Sequence, residues 1–174
     1  LLMKFYLLLL LTLATVGIQA AEIRHRFIAK DESRAQLHYV NQFDPAQDWT
    51  IPLPKGCRDI QLIAKNRILV SHPRGYLEYD LHTRKLLKEV YPQGCEQIES
   101  VVRLPSGNTV LAGRKGHITF YELDNKDQIK RRVDFDALKN LRLFRFSAEG
   151  HFLFGADQGH MIEADWSEKI HVDI

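Results

Sequence analysis

Between residues 60 and 174 one unit occurs three times, each copy being four short alternating apolar segments set off by turn residues. The first copy reads as strands at 60–64, 67–71, 75–80 and 85–90, the second at 100–104, 109–112, 117–123 and 128–135, the third at 141–146, 151–155, 160–164 and 169–174. The turn glycines Gly75, Gly116 and Gly159 set the period at 41 and then 43 residues. A four-strand unit of about 40–45 residues is the signature of a propeller blade. Helix-period patterns are lacking, and the breaks are turn chemistry such as Pro105-Ser106-Gly107-Asn108. A β-sandwich would share the alternation and the turns, but it gives no reason for the glycines to align across three units.

The reading is therefore all-β: a β-propeller of four-stranded antiparallel blades, with about four blades present, as a fragment of a six- to eight-bladed ring. The blades fall at 21–54 (partial), 55–92, 93–136 and 137–174. The partial unit has strands at 26–29, 36–40 and 49–53 but no first strand. Closure protects sheet edges, so the missing strand is expected from beyond Ile174. The other source is 21–24, which would complete a four-bladed ring. The last residues, His171-Val172-Asp173-Ile174, read as mid-strand, and an open ring of this kind is expected to aggregate through its edges.

Residues 1–20 carry Lys4, five leucines from Leu7 to Leu11 and a small-residue exit at Gly17-Ile18-Gln19-Ala20-Ala21. This is the grammar of a cleaved export signal, its apolar run being short of the ~20 residues that span a bilayer. The expectation is a periplasmic or extracellular protein with no stable membrane anchor after cleavage. The formal net charge is +2, and falls by one when the leader takes Lys4 with it. Such a balance gives no electrostatic reason to propose nucleic acid as a partner.

At 77–90, LEYDLHTRKLLKEV, and at 103–113, RLPSGNTVLAG, the chain resembles the quinoprotein-like and arylsulfotransferase-like bacterial propellers. The resemblance lies in the strand, Asp-containing turn and strand grammar. Members that bind a quinone repeat alanine, aspartate, threonine, glycine and tryptophan at fixed offsets. Here Asp80 and Thr83 match, but Glu78, Arg84 and Lys88 stand in the places of the alanine, glycine and tryptophan. That departure argues against a tryptophan-docked quinone, and no cofactor is implied.

In such a fold the loops from second to third strand, and from fourth strand to the next blade, open on one face, where function usually lives. They bring His72, Arg74, Arg114, Lys115, His117 and His160 to that face. Arginine offers a planar fork for carboxylate, sulfate or phosphate, and histidine exchanges a proton near neutrality. The plain alternative is that the cations are solvated turn residues. The second recurrence is Pro-x-Gly-Cys, at Cys57 and Cys95, which places both cysteines near the mouth of the channel on the same face. A disulfide, small packing residues and a functional thiol pair all stay open, and the two are retained among the ligand-binding candidates. Asp80, Asp124 and Asp165 recur at the opposite turns as turn formers, and Phe120, Tyr121, Phe144, Phe146, Phe152 and Phe154 read as interblade packing. No close-spaced metal-ligand set of known pattern stands out, and no catalytic residue is named.

Two functions follow as expectations. One is an exported module that binds a small anionic ligand or a protein through the loop-rich face. The alternative is a propeller enzyme of the arylsulfotransferase-like or lactonase-like type using channel-mouth histidine and arginine.

Overall fold

The computed structural model describes residues 22–174, so the export signal expected at 1–20 lies outside the described residues. Among the described residues all regular structure is strand apart from two single-turn 3-10 helices at Pro45–Gln47 and Asp157–Gly159. Blade 1 is a three-stranded sheet of β1 (Arg26–Asp31), β2 (Gln36–Asn41) and β3 (Trp49–Pro52). Blade 2 holds β4 (Ile60–Ala64), β5 (Arg67–His72), β6 (Gly75–Asp80) and β7 (Lys85–Val90). Blade 3 holds β8 (Ile98–Arg103), β9 (Thr109–Gly113), β10 (Ile118–Leu123) and β11 (Ile129–Phe135). Blade 4 holds β12 (Phe144–Phe146), β13 (Phe152–Gly155), β14 (Met161–Ala164) and β15 (Ile170–Asp173). Every sheet is an antiparallel meander, and together they make four blades of a β-propeller. Residues 22–25 are not in a strand, so they do not supply blade 1 with a fourth.

Three cores fill the three gaps between consecutive blades. Leu37, Ile51, Leu53 and Cys57 meet Ile68, Val70, Leu77 and Tyr79 between blades 1 and 2. Leu69, Tyr76 and Val90 meet Cys95, Ile98, Leu111 and Tyr121 between blades 2 and 3. Between blades 3 and 4 the filling is aromatic: Phe120 stacks on Phe152 with ring centroids 4.0 Å apart and meets Phe144 edge-on at 5.2 Å. Both faces of a central blade are buried, so every residue of β9 and β10 is buried, the polar Thr109, Thr119 and Glu122 included.

The turns carry the repeat. Asp80, Asp124 and Asp165 accept hydrogen bonds from the backbone N–H of Thr83, of Lys126 and Gln128, and of Ser167, as turn formers should. The same turns place Arg84, Asp127 and Glu168 in the left-handed region, at φ 60°, 62° and 66°. Arg84 stands where the resembled family has glycine, and it adopts the backbone that glycine would take freely. Gly75 serves another purpose, since a Cβ there would lie 2.0 Å from the Val90 carbonyl oxygen. The first strand of blade 4 starts later than its alternation suggests. Leu141 is buried, but residues 141–143, which follow Asn140 at φ 58°, are irregular, and the strand begins at Phe144.

The inner strands β4, β8 and β12 are tied by side chains instead of a ladder. Ser71 Oγ accepts from the N–H of Asp59 at 2.8 Å and donates to the Glu99 carbonyl at 3.0 Å. Asp59, 3% exposed, accepts from Ser100 Oγ and from Val101 N–H, while Arg145 clasps both its carboxylate oxygens at 2.9 Å. Phe144 N–H closes the set by donating to Ser100 Oγ at 3.2 Å. Blades 2, 3 and 4 thus share one buried carboxylate.

Candidate functional site

Backbone hydrogen bonds put the two sets of loops on one face. Ile98 N–H donates to Pro73 O and Ile118 N–H to Leu138 O, which stitches the second-to-third loops of blades 2 and 3 to the segment entering the next blade, while Arg114 N–H donates to Gln97 O in the segment entering its own blade. In the blade 2 loop His72 Nδ1 accepts from Arg74 N–H at 3.2 Å, and the His72 ring lies 4.7 Å from that of Tyr91. The Arg74 guanidinium also lies over the Tyr91 ring, 4.8 Å from its centroid. Burial, followed by the Arg74 charge, pushes the His72 pKa below its ordinary value, which keeps this imidazole neutral at pH 7.

Blade 3 contributes the most connected set. Arg114 Nε donates to Glu99 Oε1 at 2.8 Å, and Arg58 reaches the same nearly buried carboxylate at 2.6 Å from Oε2, a charge contact whose angle does not make a hydrogen bond. Lys115 pairs with Glu96. His117 Nε2 lies 3.0 Å from Asp134 Oδ1, the oxygen that also accepts from Thr119 Oγ1 at 2.6 Å and from Arg132. Burial works to raise the Asp134 pKa, but the donors Arg132, Thr119 and His117 outweigh it and hold it below the usual carboxylate range.

A cleft of about 320 Å³ opens here, lined by Gly94, Glu96, Lys115, His117, Tyr121 and Arg132. Of the residues named from sequence it brings together Lys115 and His117. Arg114 turns away to Glu99, while His72 and Arg74 sit on the neighbouring loop around Tyr91. His160, in blade 4, is held by Asp173 at 2.5 Å. Arg114 and Lys115 are thus each matched by an acid, and the face is a mixed-charge surface instead of a gathering of free cations. The matching acids Glu96, Glu99 and Asp134 were not legible as site residues, although two of them follow Cys95 within four positions.

Both cysteines are free and lie beneath the face instead of lining its mouth. Cys57 packs between blades 1 and 2 and Cys95 between blades 2 and 3, so they occupy separate cores. Burial pushes both thiols up to about 11, far from the range of a reactive thiolate. Packing is the role the structure displays for them.

No protein-family model matches the chain, and no curated protein matches its sequence. Solved structures do. A protein of unknown function from Bacteroides caccae is similar with a TM-score of 0.66 and 19% identity, over 88% of this chain and 58% of that one. The WD40 β-propeller domain of Doa1 is similar with a TM-score of 0.59 and 12% identity, over 77% of this chain and 44% of that one. The likeness is one of fold. The chain spans about half the length of these neighbours, and the narrower resemblance to quinoprotein-like and arylsulfotransferase-like propellers gains no family match. A propeller of this kind fits a binding module, because its blades hold the loops of one face at fixed spacing.

Proposed function

We propose that this chain is an exported binding module whose loop face takes a small ligand with an anionic group, in the cleft between the Gly94–Glu96 segment and β10–β11. The observation that carries the reading is the meeting in that cleft of Lys115, His117 and Arg132 with the aromatic ring of Tyr121. Tyr121 is nearly buried and Arg132 lies over its ring at 5.5 Å, so the ring is a floor that holds the guanidinium in the cleft, where an anionic group can meet it. Glu96 and Asp134 hold the cations in place until an anion competes for them. Export is supported by the leader at 1–20. A mature N-terminus at Ala21 after expression in a secreting host is the expected check.

The enzyme alternative finds less support. Thr119 Oγ1 donates to the Asp134 carboxylate and not to His117, so this trio lacks the hydroxyl-to-imidazole bond of an activated nucleophile. His72, His117 and His160 each face a different partner.

The test is an NMR titration with inorganic phosphate, sulfate and benzoate at low salt. Shifts clustered at Lys115, His117, Tyr121 and Arg132, and lost in Lys115→Ala/Arg132→Ala, support the cleft. Shifts spread over the surface, or unchanged in the variant, overturn it.

A further inference from the structure

Blade 4 holds a cluster that the loop face does not use. One donor atom from each of His151, Asp165 and His171 lies within 4.8 Å of the other two. His151 Nδ1 is 2.9 Å from Glu163 Oε1, and His171 Nε2 is 2.8 Å from Asp165 Oδ2. The two imidazoles lie parallel, 4° apart in plane and 4.2 Å between centroids. The side chains of His151, Asp165 and His171 are about one quarter exposed, so the group is sheltered yet open to an ion. We propose that His151, His171 and Asp165 form a binding site for a divalent transition metal of the zinc class, with Glu163 orienting His151.

Repeat comparison isolates what is special here. Arg67, Asn108 and His151 each lead into a second strand, and each bonds a glutamate on its third strand: Glu78, Glu122 and Glu163. Lys130 and His171 both stand three residues after the left-handed turn residue, Asp127 or Glu168. In blade 3 Lys130 and Arg131 neutralise Glu122 with permanent cations. Blade 4 keeps the acid but sets His151 in the place of Asn108, His171 in that of Lys130 and Val172 in that of Arg131, so imidazoles, which carry lone pairs when neutral, stand where blade 3 has an amide and a permanent cation.

The donor chemistry suits such an ion. Two imidazoles and a carboxylate are borderline donors that favour zinc-class metals over calcium or magnesium. Metal–donor distances of about 2.1 Å put ligand atoms roughly 3.4 Å apart around a tetrahedral ion, so closing from 4.8 Å takes about an ångström of side-chain rotation. Glu163 on Nδ1 leaves Nε2 of His151 for the metal, the usual support of a ligating histidine. Asp165 is held by the turn through Oδ1, which accepts from Ser167 N–H and Oγ, so Oδ2 is the oxygen turned to the cluster, where a bound ion would take the place of its hydrogen bond with His171 Nε2. Such a ligand set leaves a fourth position for water.

The test is isothermal titration of the intact chain with Zn²⁺ at pH 7.5, repeated with Co²⁺ for its visible absorption and with Mg²⁺ as control. His151→Gln and His171→Gln keep side-chain hydrogen bonding, and circular dichroism checks their fold. One Zn²⁺ per chain, weakened at least tenfold in each variant, with a tetrahedral Co²⁺ spectrum, is the expected result. Absent Zn²⁺ binding, binding unchanged in His151→Gln/His171→Gln, or equal competition by Mg²⁺ would overturn the proposal.

Discussion

Arg145→Ala isolates the charge held at the inner strands. The substitution leaves the Asp59 carboxylate 3% exposed with only Ser100 Oγ and Val101 N–H for partners. Removing one member of a buried pair costs about 3–5 kcal/mol, because the other charge stays out of water. Arg145 is itself about half exposed, so solvent reaches the vacated space and the lower end, about 3 kcal/mol, is expected. For a domain of this size each kcal/mol moves the melting temperature by roughly 2–4 °C, giving a fall of about 6–12 °C. The sharper consequence is a change of sign. In the native background Asp59→Asn removes the bidentate clasp and destabilises, whereas in Arg145→Ala it removes an unpaired charge and restores part of the loss. Differential scanning calorimetry on the four proteins of this double-mutant cycle measures both effects. If Arg145→Ala melts within 2 °C of the native chain, or if Asp59→Asn costs the same with and without Arg145, the carboxylate is solvated and the reasoning fails.

Two further outcomes follow from groups already described. Asp134, Asp124 and Glu122 are held below the usual carboxylate range. At Asp124 the backbone N–H donors of Gln128 and Lys126 do this, and at Glu122 burial opposes it but Asn108, Arg131 and Lys130 prevail. A depressed folded pKa contributes stability above the unfolded values near 4 that is lost as pH falls through the folded ones. Melting temperatures should therefore be flat from pH 7 to 5 and fall below about pH 4; an unchanged value at pH 3 would contradict this. Cys57 and Cys95, buried and raised to about 11, should resist a thiol-specific aromatic disulfide reagent at pH 8 and both react in guanidinium; rapid native labelling of either would show that its core opens.

What could be read ahead of the structure was what the chain encodes locally. Gly75, the Asp80, Asp124 and Asp165 turns and the alternation of β4 to β7 are short-range signals, and the strand bounds agree to within a few residues. The first strand of blade 4 starts at Phe144 and not at the expected Leu141, because Leu141 is buried in irregular backbone, and burial without regular structure leaves the same apolar mark as a strand. The site residues were legible as positions but not as a site. Whether Arg114 and Lys115 are free or matched depends on Glu99 and Glu96, which reach them from β8 and the segment just before it. Asp59 and Arg145 lie 86 positions apart, and no local pattern announces their meeting. His151, Asp165 and His171 escaped for the same reason, since strand pairing brings together what spacing alone does not.

The separate seats of the two cysteines bear on where such a chain is able to mature. Each thiol is enclosed in its own interblade filling, so the native packing has no use for an oxidant and forms no bridge that a reductant could cut. The three gaps close by apolar filling and, between blades 2, 3 and 4, by the hydrogen bonds around Asp59, so folding needs no isomerase to sort pairings. Oxidation would act only on the opened chain, as a trap joining Cys57 to Cys95 or one molecule to another. Transport across a membrane would then add a hazard to folding and no staple.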